Sequence, residues 1–312
     1  MSKARFINSG HVSGLLYEHD LQIKETGPNS KNPGTQFISG TISIATDDEL
    51  TNIVPIHYTY ITQFTSSGKA DGRWDTLNQI INEKLKTVMG FGAENAAKLR
   101  VDSSIALNDF YSERDGKDEL VSTKRYEGGF IHVESTLEEA KKRNVFDVDM
   151  VITNTHTVEA DPERDLPEKL ILKGAIFDFR KALLPVEFSV IDTRAISYFE
   201  GLEPSGKNPV FTRIRGKQVS ETVKREIVEE SAFGEPSVRE VTSNRKDWVI
   251  NWAQPEPYIW DDDSSITAAE MKEAVSNREL YLTTIKARQD EYKAKRVQSA
   301  TATKITNDTF NF

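Results

Sequence analysis

Two stretches decide how the chain is read. The first is Phe37-Ile38-Ser39-Gly40-Thr41-Ile42-Ser43-Ile44, followed after a polar turn by Ile53-Val54-Pro55-Ile56-His57-Tyr58-Thr59-Tyr60-Ile61. The second is Ile171-Leu172-Lys173-Gly174-Ala175-Ile176-Phe177-Asp178-Phe179, followed by Leu183-Leu184-Pro185-Val186-Glu187-Phe188-Ser189-Val190. Both alternate apolar and polar residues with period two, the mark of strands. Both also place a glycine inside the first strand and a proline near the start of the second. A strand glycine marks a bend, a bulge or a close backbone approach, and proline is tolerated only at a strand start, an edge or a bulge. The pairs describe two copies of a strongly curved sheet, and curved sheets close into barrels.

Working outward, further parts recur in the same order. Phe110 to Lys117 precedes Val121 to Tyr126, and Phe211 to Lys217 precedes Val219 to Arg225; each pair reads as a hairpin turning at Gly-Lys. Ahead of the quoted stretches lie candidate strands at His11 to Ile23 and Val145 to Val158, each followed by a proline-containing loop. That supplies five strands per copy. In the first copy Trp74, Leu77, Ile80, Ile81, Leu85 and Val88 fall at helical spacing, which predicts a helix over Trp74 to Met89 stopped by Gly90-Phe91-Gly92. The second copy has only the loop Glu203 to Pro209 at that place. Five strands with a helix between the third and fourth is the order of an OB fold.

Downstream, Trp248 to Trp252 is a strand-like run, Pro255 to Asp263 reads as an acidic linker, and Thr267-Ala268-Ala269-Glu270 is a capping-box start for a helix carrying Met271, Val275, Arg278, Leu282, Ile285, Gln289 and Tyr292 on one seam. The tail beyond Val297 reads as polar and mobile, with Phe310 and Phe312 at its tip. The expected architecture is therefore mainly β with some α: residues 1–140 a first OB-like barrel with an inserted helix, 141–255 a second OB-like barrel, and 256–312 the linker, helix and tail.

The bulk numbers narrow the function. A hydrophobic share of 37% and a charged share of 29% suit a globular chain, and the absence of cysteine removes disulfides, thiol nucleophiles and thiolate metal sites. No stretch approaches the ~20 apolar residues of a membrane span, and Met1 to Phe6 has no apolar run behind its basic residues, so a cytoplasmic location and no membrane partner are expected. A net charge of −9 argues against coating duplex DNA by bulk electrostatics. Single-strand binding, which relies on base stacking and a narrow basic groove, is compatible with it.

Little points to catalysis. His11, His19, His57, His132 and His156 share no metal-ligand spacing, Gly116-Lys117 and Gly216-Lys217 lack the upstream glycine of a phosphate-binding loop, and the carboxylate clusters read as solvated loops. No enzyme, cofactor or metal site is expected. The material for binding is better, because aromatic faces and cations lie together on strands. In the second copy these are Lys173, Phe177 and Phe179 on one strand face, then Arg213, Arg215 and Lys217 as a one-sided stripe, then Lys224 and Arg225. In the first they are Tyr60, Tyr111, Lys117, Lys124, Arg125 and Tyr126. Phe177 and Phe179 can serve as core or as platform, whereas Tyr58 and Phe188, at one repeat position, read as core.

The paired Gly-strand, Pro-strand and Gly-Lys units resemble tandem OB-fold single-stranded DNA-binding proteins of phage type, over roughly Phe6 to Trp252. The resemblance implies sequence-independent protection of single-stranded DNA during replication or recombination, in the host cytoplasm for a phage protein, with RNA a further candidate ligand. Many such proteins recruit replication partners through an acidic, Phe-ended tail; Asn307 to Phe312 ends in Phe but carries one acid. The competing reading is a phage structural or assembly protein whose barrels make protein contacts, with the Met271 to Tyr292 helix joining copies into a homo-oligomer.

Overall fold

The computed structural model describes residues 6–28, 30–161, 166–229, 233, 237–260 and 265–308, with the backbone path alone for 221–229, 237–245 and 296–308. Six strands come from the first half: β1 (Asn8–His19), the short β2 (Gln22–Glu25), β3 (Gln36–Ala45), β4 (Ile53–Thr62), β5 (Lys98–Arg114) and β6 (Lys117–Val133). β1 pairs antiparallel with both β3 and β5, β3 with β4, and β5 with β6. β4 then meets β6 in parallel through Ile56 to Tyr126 and His57 to Glu127, which closes the ring; β2 merely lines the outer edge of β3.

The second half repeats the plan with β7 (Asn144–Val158), β8 (Lys169–Phe177), β9 (Leu183–Val190), β10 (Val210–Glu229) and β11 (Ser237–Ala253). β7 pairs with β8 and β10, β8 with β9, β10 with β11, and β9 closes on β11 in parallel through Ser189 to Val249 and Val190 to Ile250. Leaving β2 aside, each ring runs first, second, third, fifth, fourth and back to first, so both are OB barrels. β1 also pairs with β7, from Asn8 opposite Val148 to Val12 opposite Asn144, and this joins the rings into one eleven-stranded sheet.

Alternation decides what fills the rings. Ile38, Ile42 and Ile44 with Val54, Ile56, Tyr58 and Ile61 are buried in the first, and Leu170, Leu172 and Ile176 with Leu184, Val186, Phe188 and Val190 in the second. Tyr58 and Phe188 are thus core. The two cores are continuous: the Tyr126 ring packs 4.8 Å from Trp248, Trp248 lies 5.7 Å from Phe146, and Phe146 stacks on Phe188 at 4.9 Å. The repeat glycines meet the demand that curvature makes. Gly40 sits at a β3 bulge with φ of 137°, and a Cβ on Gly174 would lie 1.9 Å from the Val151 carbonyl oxygen beside a β7 bulge.

Each barrel carries a helix between its third and fourth strands, contrary to the expectation of one helix in the first copy alone. α1 (Gly72–Ile81) is capped by Asp71, whose carboxylate accepts from Arg73 N at 3.0 Å, and buries Trp74, Leu77 and Ile80. Each such side chain removed from water contributes about 1.5–3 kcal/mol. The helix stops at Asn82, where Glu83 turns to φ of 56°, and a separate turn α2 (Val88–Phe91) follows, so the expected helix to Met89 is two pieces. α3 (Thr193–Gly201) in the second barrel starts on Asp192, which accepts from Arg194 N and Ala195 N, and buries Ile196 and Phe199. With two buried apolar residues in nine, its period is too brief to stand out in the sequence.

A second correction concerns Gly216-Lys217. Asp115 (φ 51°) and Gly116 (φ 71°) do make the β5–β6 turn, but Gly216 lies inside the twenty-residue β10 at a bulge. A Cβ there would be 2.1 Å from the Val249 carbonyl oxygen and 2.4 Å from the Phe146 ring. Packing, not a turn, requires that glycine. Trp248 to Trp252 accordingly belongs to the fifth strand, and the tip of the β10–β11 hairpin falls largely outside the described residues.

The C-terminal helix α4 runs from Ala268 to Asp308, past the point where a mobile tail was expected, because no Gly or Pro interrupts it. Its start is the capping box: Glu270 N donates to Thr267 Oγ1 at 3.1 Å and Thr267 N to Glu270 Oε2 at 3.0 Å. Ile266 and Ala274 cover Phe177 and Phe211 on the outside of the second barrel, together with Phe6. Arg278 then forks onto Asp109 of β5, and Lys286 and Lys293 reach Asp118 of β6. Phe310 and Phe312 lie outside the described residues, and among the described residues no helix is long and apolar enough to cross a membrane.

Candidate nucleic-acid interface

The outer face of β8 and β9, the second and third strands of the second barrel, forms the wall of a groove of about 660 Å³ that β5 and β6 of the first barrel face. Alternation sends Lys169, Ile171 and Lys173 of β8 outward, and Lys246 of β11 and Lys124 of β6 complete a set of four lysines around it. Two acids share the space. Lys173 pairs with Glu187 at 3.0 Å, and Lys169 with Asp247 at 2.8 Å. Burial alone would raise the Asp247 carboxyl, but Lys169 and the Ser189 hydroxyl (2.7 Å) outweigh it and hold it below the ordinary carboxylate range. Lys246 is exposed and makes no ion pair among the described residues.

Lys124 is the unusual member. Its ammonium donates to the Glu187 carbonyl and sits 4.3 Å from the Phe188 ring centroid and 5.5 Å from that of Trp248. Burial pushes it down to about 7, against the pull of Asp247 and Glu187. Its positive charge is therefore held less firmly than that of an ordinary lysine, and Trp248 forms part of the wall beside it.

The corresponding face of the first barrel, on β3 and β4, carries aromatic rings. Phe37 and Tyr60 pack at 4.7 Å between centroids, Tyr60 is 49% exposed and Phe64 just beyond β4 is 56% exposed. Tyr60 and Phe64 border a cleft of about 510 Å³ lined also by Asn32, Gln36 and Gln63, in which the loop between the first two barrel strands takes part. Between cleft and groove runs a polar link. Arg125 pairs with Glu127 at 2.9 Å and lies 3.4 Å from Thr59 Oγ1, next to Tyr60. Burial first, and then Arg125 and Lys246, hold His57 below its ordinary value against Glu127 and Asp20.

The residues singled out from the sequence scatter around this arrangement. Lys173 and Lys124 are in the groove, Tyr60 in the aromatic cleft and Arg125 on the link. Phe177 and Tyr126 are corrected: both are buried, at 1% and 0% exposure, and cannot stack on a base. Phe177 does point outward from its barrel, as its alternation with Ile176 requires, but Phe6 and α4 cover it; Tyr126 fills the junction of the two cores. Phe179 stands 87% exposed on the β8–β9 turn. Arg213 forks onto Asp147 at 2.7 and 2.6 Å, Arg215 joins the same carboxylate at 2.9 Å while covering the Trp252 ring at 4.5 Å, and neither they nor the exposed Lys217 line the groove. Tyr111 lies under Lys286 of α4 at 5.5 Å, and Lys117 is exposed at the β5–β6 tip. The side chains of Lys224 and Arg225 lie outside the described residues.

Phe37, Phe64, Lys169 and Lys246 escaped sequence reading. Lys169 could have been found by extending the outward alternation of Lys173 two steps back past Ile171, and Phe37 by pairing β3 with β4. Nothing local marks Lys246, which reaches the groove only through the parallel closure of β11 on β9.

No curated protein matches the sequence. Among solved structures, a deletion mutant of the single-stranded DNA binding protein from Thermus aquaticus is similar over 83% of this chain and 98% of that one, with 10% identity and a TM-score of 0.43. The model of the YorF family matches residues 8–288, and the chain belongs to the YorF family.

Proposed function

We propose that this protein binds single-stranded DNA without sequence preference and protects it during phage DNA replication or recombination, with the strand lying across the outer faces of β3–β4 and β8–β9. The observation that carries the reading is the distribution of chemistry over one topological face. The second and third strands are where OB folds bind oligonucleotides; in the second barrel they form the wall of the lysine groove with Lys169 and Lys173, and in the first they carry the tilted Phe37–Tyr60 pair with Tyr60 exposed. Rings can stack on any base and lysines can follow any backbone, so the pairing favours a strand without selecting its sequence. Arg125, paired with Glu127 and beside Thr59, supplies a cation next to Tyr60. The net charge of −9 then works against non-specific duplex coating and leaves the groove as a local basic site.

The subunit-contact reading of α4 has less surface to draw on, since Ala274 and Arg278 are buried against the chain's own barrels. Titration of the protein with oligo(dT) and with a duplex of equal length, followed by the fluorescence of groove-lining Trp248, tests the proposal. Quenching by the single strand that weakens as salt rises is expected, with a smaller response to duplex. An unchanged signal and no mobility shift at low salt would refute it.

A further inference from the structure

We infer that α4 and the β8–β9 turn form a base-stacking clamp that extends the path of a bound single strand beyond the lysine groove, an inference that rests on the single-strand reading above. The turn from Asp178 to Ala182 is tightly fastened for an exposed loop. Asp178 Oδ1 accepts from Arg180 N at 2.8 Å and Ala182 N at 2.7 Å, while Asp178 N donates to the Ala182 carbonyl at 3.1 Å. Phe179 at its tip is 87% exposed, and the Arg180 guanidinium lies 5.0 Å from the ring centroid. A single exposed ring is ordinary on a protein surface; a site is marked only where such rings share one surface.

Phe179 does not stand alone. It lines a groove of about 520 Å³ with Arg180, Leu107, Leu184, Arg278 and Tyr281. Tyr281 is 49% exposed and carries the Arg278 guanidinium 5.5 Å from its ring. Each of two exposed rings is therefore backed by a cation, the combination that suits bases and the phosphates between them. The position of Tyr281 is fixed because Arg278 is anchored on Asp109 at 2.7 and 2.6 Å. Among the described residues the buried Arg278 Nε has no hydrogen-bond acceptor. The carboxylates nearby are occupied, Asp109 by Arg278 and Asp178 by backbone N–H groups.

Continuity identifies the occupant. Leu107 lines both this groove and the lysine groove, so a strand leaving Lys173 and Lys124 past Leu107 enters the space beside Phe179 and Tyr281. On this inference α4 is a functional wall of the nucleic-acid site, and not only a strap that joins the barrels.

The test compares the full-length protein, Phe179→Ala, Tyr281→Ala, the double variant and Lys169→Glu/Lys173→Glu, each titrated with a short oligo(dT) that fills the lysine groove and a longer one that reaches α4. Both aromatic variants should bind the short strand as the parent does and the long strand about 10-fold more weakly, the loss that corresponds to one stacked base. Long oligo(dT) carrying 5-iododeoxyuridine should photocross-link to Phe179 or Tyr281 in the parent protein, a readout that needs no variant to fold. Parent-like affinity of a normally melting double variant for the long strand, or cross-links elsewhere only, would overturn the clamp while loss of binding in the lysine variant kept the single-strand reading standing. Failure of the parent to bind either strand would overturn both.

Discussion

Tyr126 of the first barrel and Trp248 of the second pack ring against ring at 4.8 Å, both buried, so the two barrels meet inside a hydrophobic core and not at a polar domain boundary. Barrels built this way are expected to unfold together. A single calorimetric transition with matching Trp fluorescence and circular dichroism midpoints should result, and Tyr126→Ala should lower stability by about 3–5 kcal/mol, as for other large aromatic truncations. Two resolved transitions would show that the shared core does not couple the barrels.

The Lys124 ammonium, enclosed by Phe188, Trp248 and the Glu187 carbonyl, sets a pH dependence. Burial lowers its pKa from 10.5 to about 7 in the folded protein. Between those values the unfolded chain holds a proton that the folded chain has released, so the stability of the folded state rises with pH across that window. The slope from one proton is at most about 1.4 kcal/mol per pH unit. Lys124→Met should flatten this part of the profile, which chemical denaturation at a series of pH values would measure; an unchanged slope would place the ammonium in water.

How much of this was legible depends on the range of the interactions concerned. Gly40 and Gly174, Pro55 and Pro185 announce themselves because backbone curvature is a local demand that few residues satisfy. The Thr267–Glu270 box is likewise local. Gly216 deceived because a glycine required by Phe146, seventy residues away, looks the same as one required by a turn. Phe177 shows the same limit at the candidate site: alternation gave the correct face, yet only Phe6 and α4, from the two ends of the chain, determine that the ring is covered. Lys246 and Phe64 join the site through barrel closure and loop placement, and no periodic pattern records either.

Gly174 offers a sharp check of the curvature argument. A Cβ there would sit 1.9 Å from the Val151 carbonyl oxygen, a backbone atom that cannot rotate away. Gly174→Ala should therefore destabilise by about 3 kcal/mol or more, at the upper end for overpacking, whereas alanine at the exposed Gly206, which meets nothing within 4 Å, should be nearly neutral. Thermal melts of the two variants decide the point.

The lysine groove predicts an additive electrostatic signature. If Lys169, Lys173 and Lys246 each lie against a phosphate, replacing any one by Gln should weaken oligo(dT) binding alike for all base compositions and reduce the slope of log K against log salt by roughly 0.7. Lys173→Gln also frees Glu187, and Lys169→Gln frees Asp247, so these two should cost more affinity than Lys246→Gln, whose lysine pairs with no carboxylate among the described residues. Equal losses at all three positions would mean that the two ion pairs do not persist in solution.

Besides the apolar packing of Ile266 and Ala274 on the second barrel, α4 is tied to β5 of the first by a buried ion pair. Arg278 and Asp109 are 9% and 1% exposed, and their fork spans the helix and β5 at 2.7 and 2.6 Å. Removing the guanidinium leaves the Asp109 carboxylate buried with, among the described residues, only the Ser122 hydroxyl as a side-chain donor at 2.6 Å. Arg278→Met should cost about 3–5 kcal/mol, the penalty of stranding a buried charge, and Asp109→Leu in the same chain should recover most of it, because a well-packed apolar pair can replace a buried salt bridge at little cost. If the loss instead persists in the double variant, the pair fixes where α4 sits and apolar contact cannot substitute. In that case protease cleavage in the part of α4 beyond Arg278 should accelerate in both variants, since the ion pairs of Lys286 and Lys293 with Asp118 that tie this part to β6 are exposed and weak.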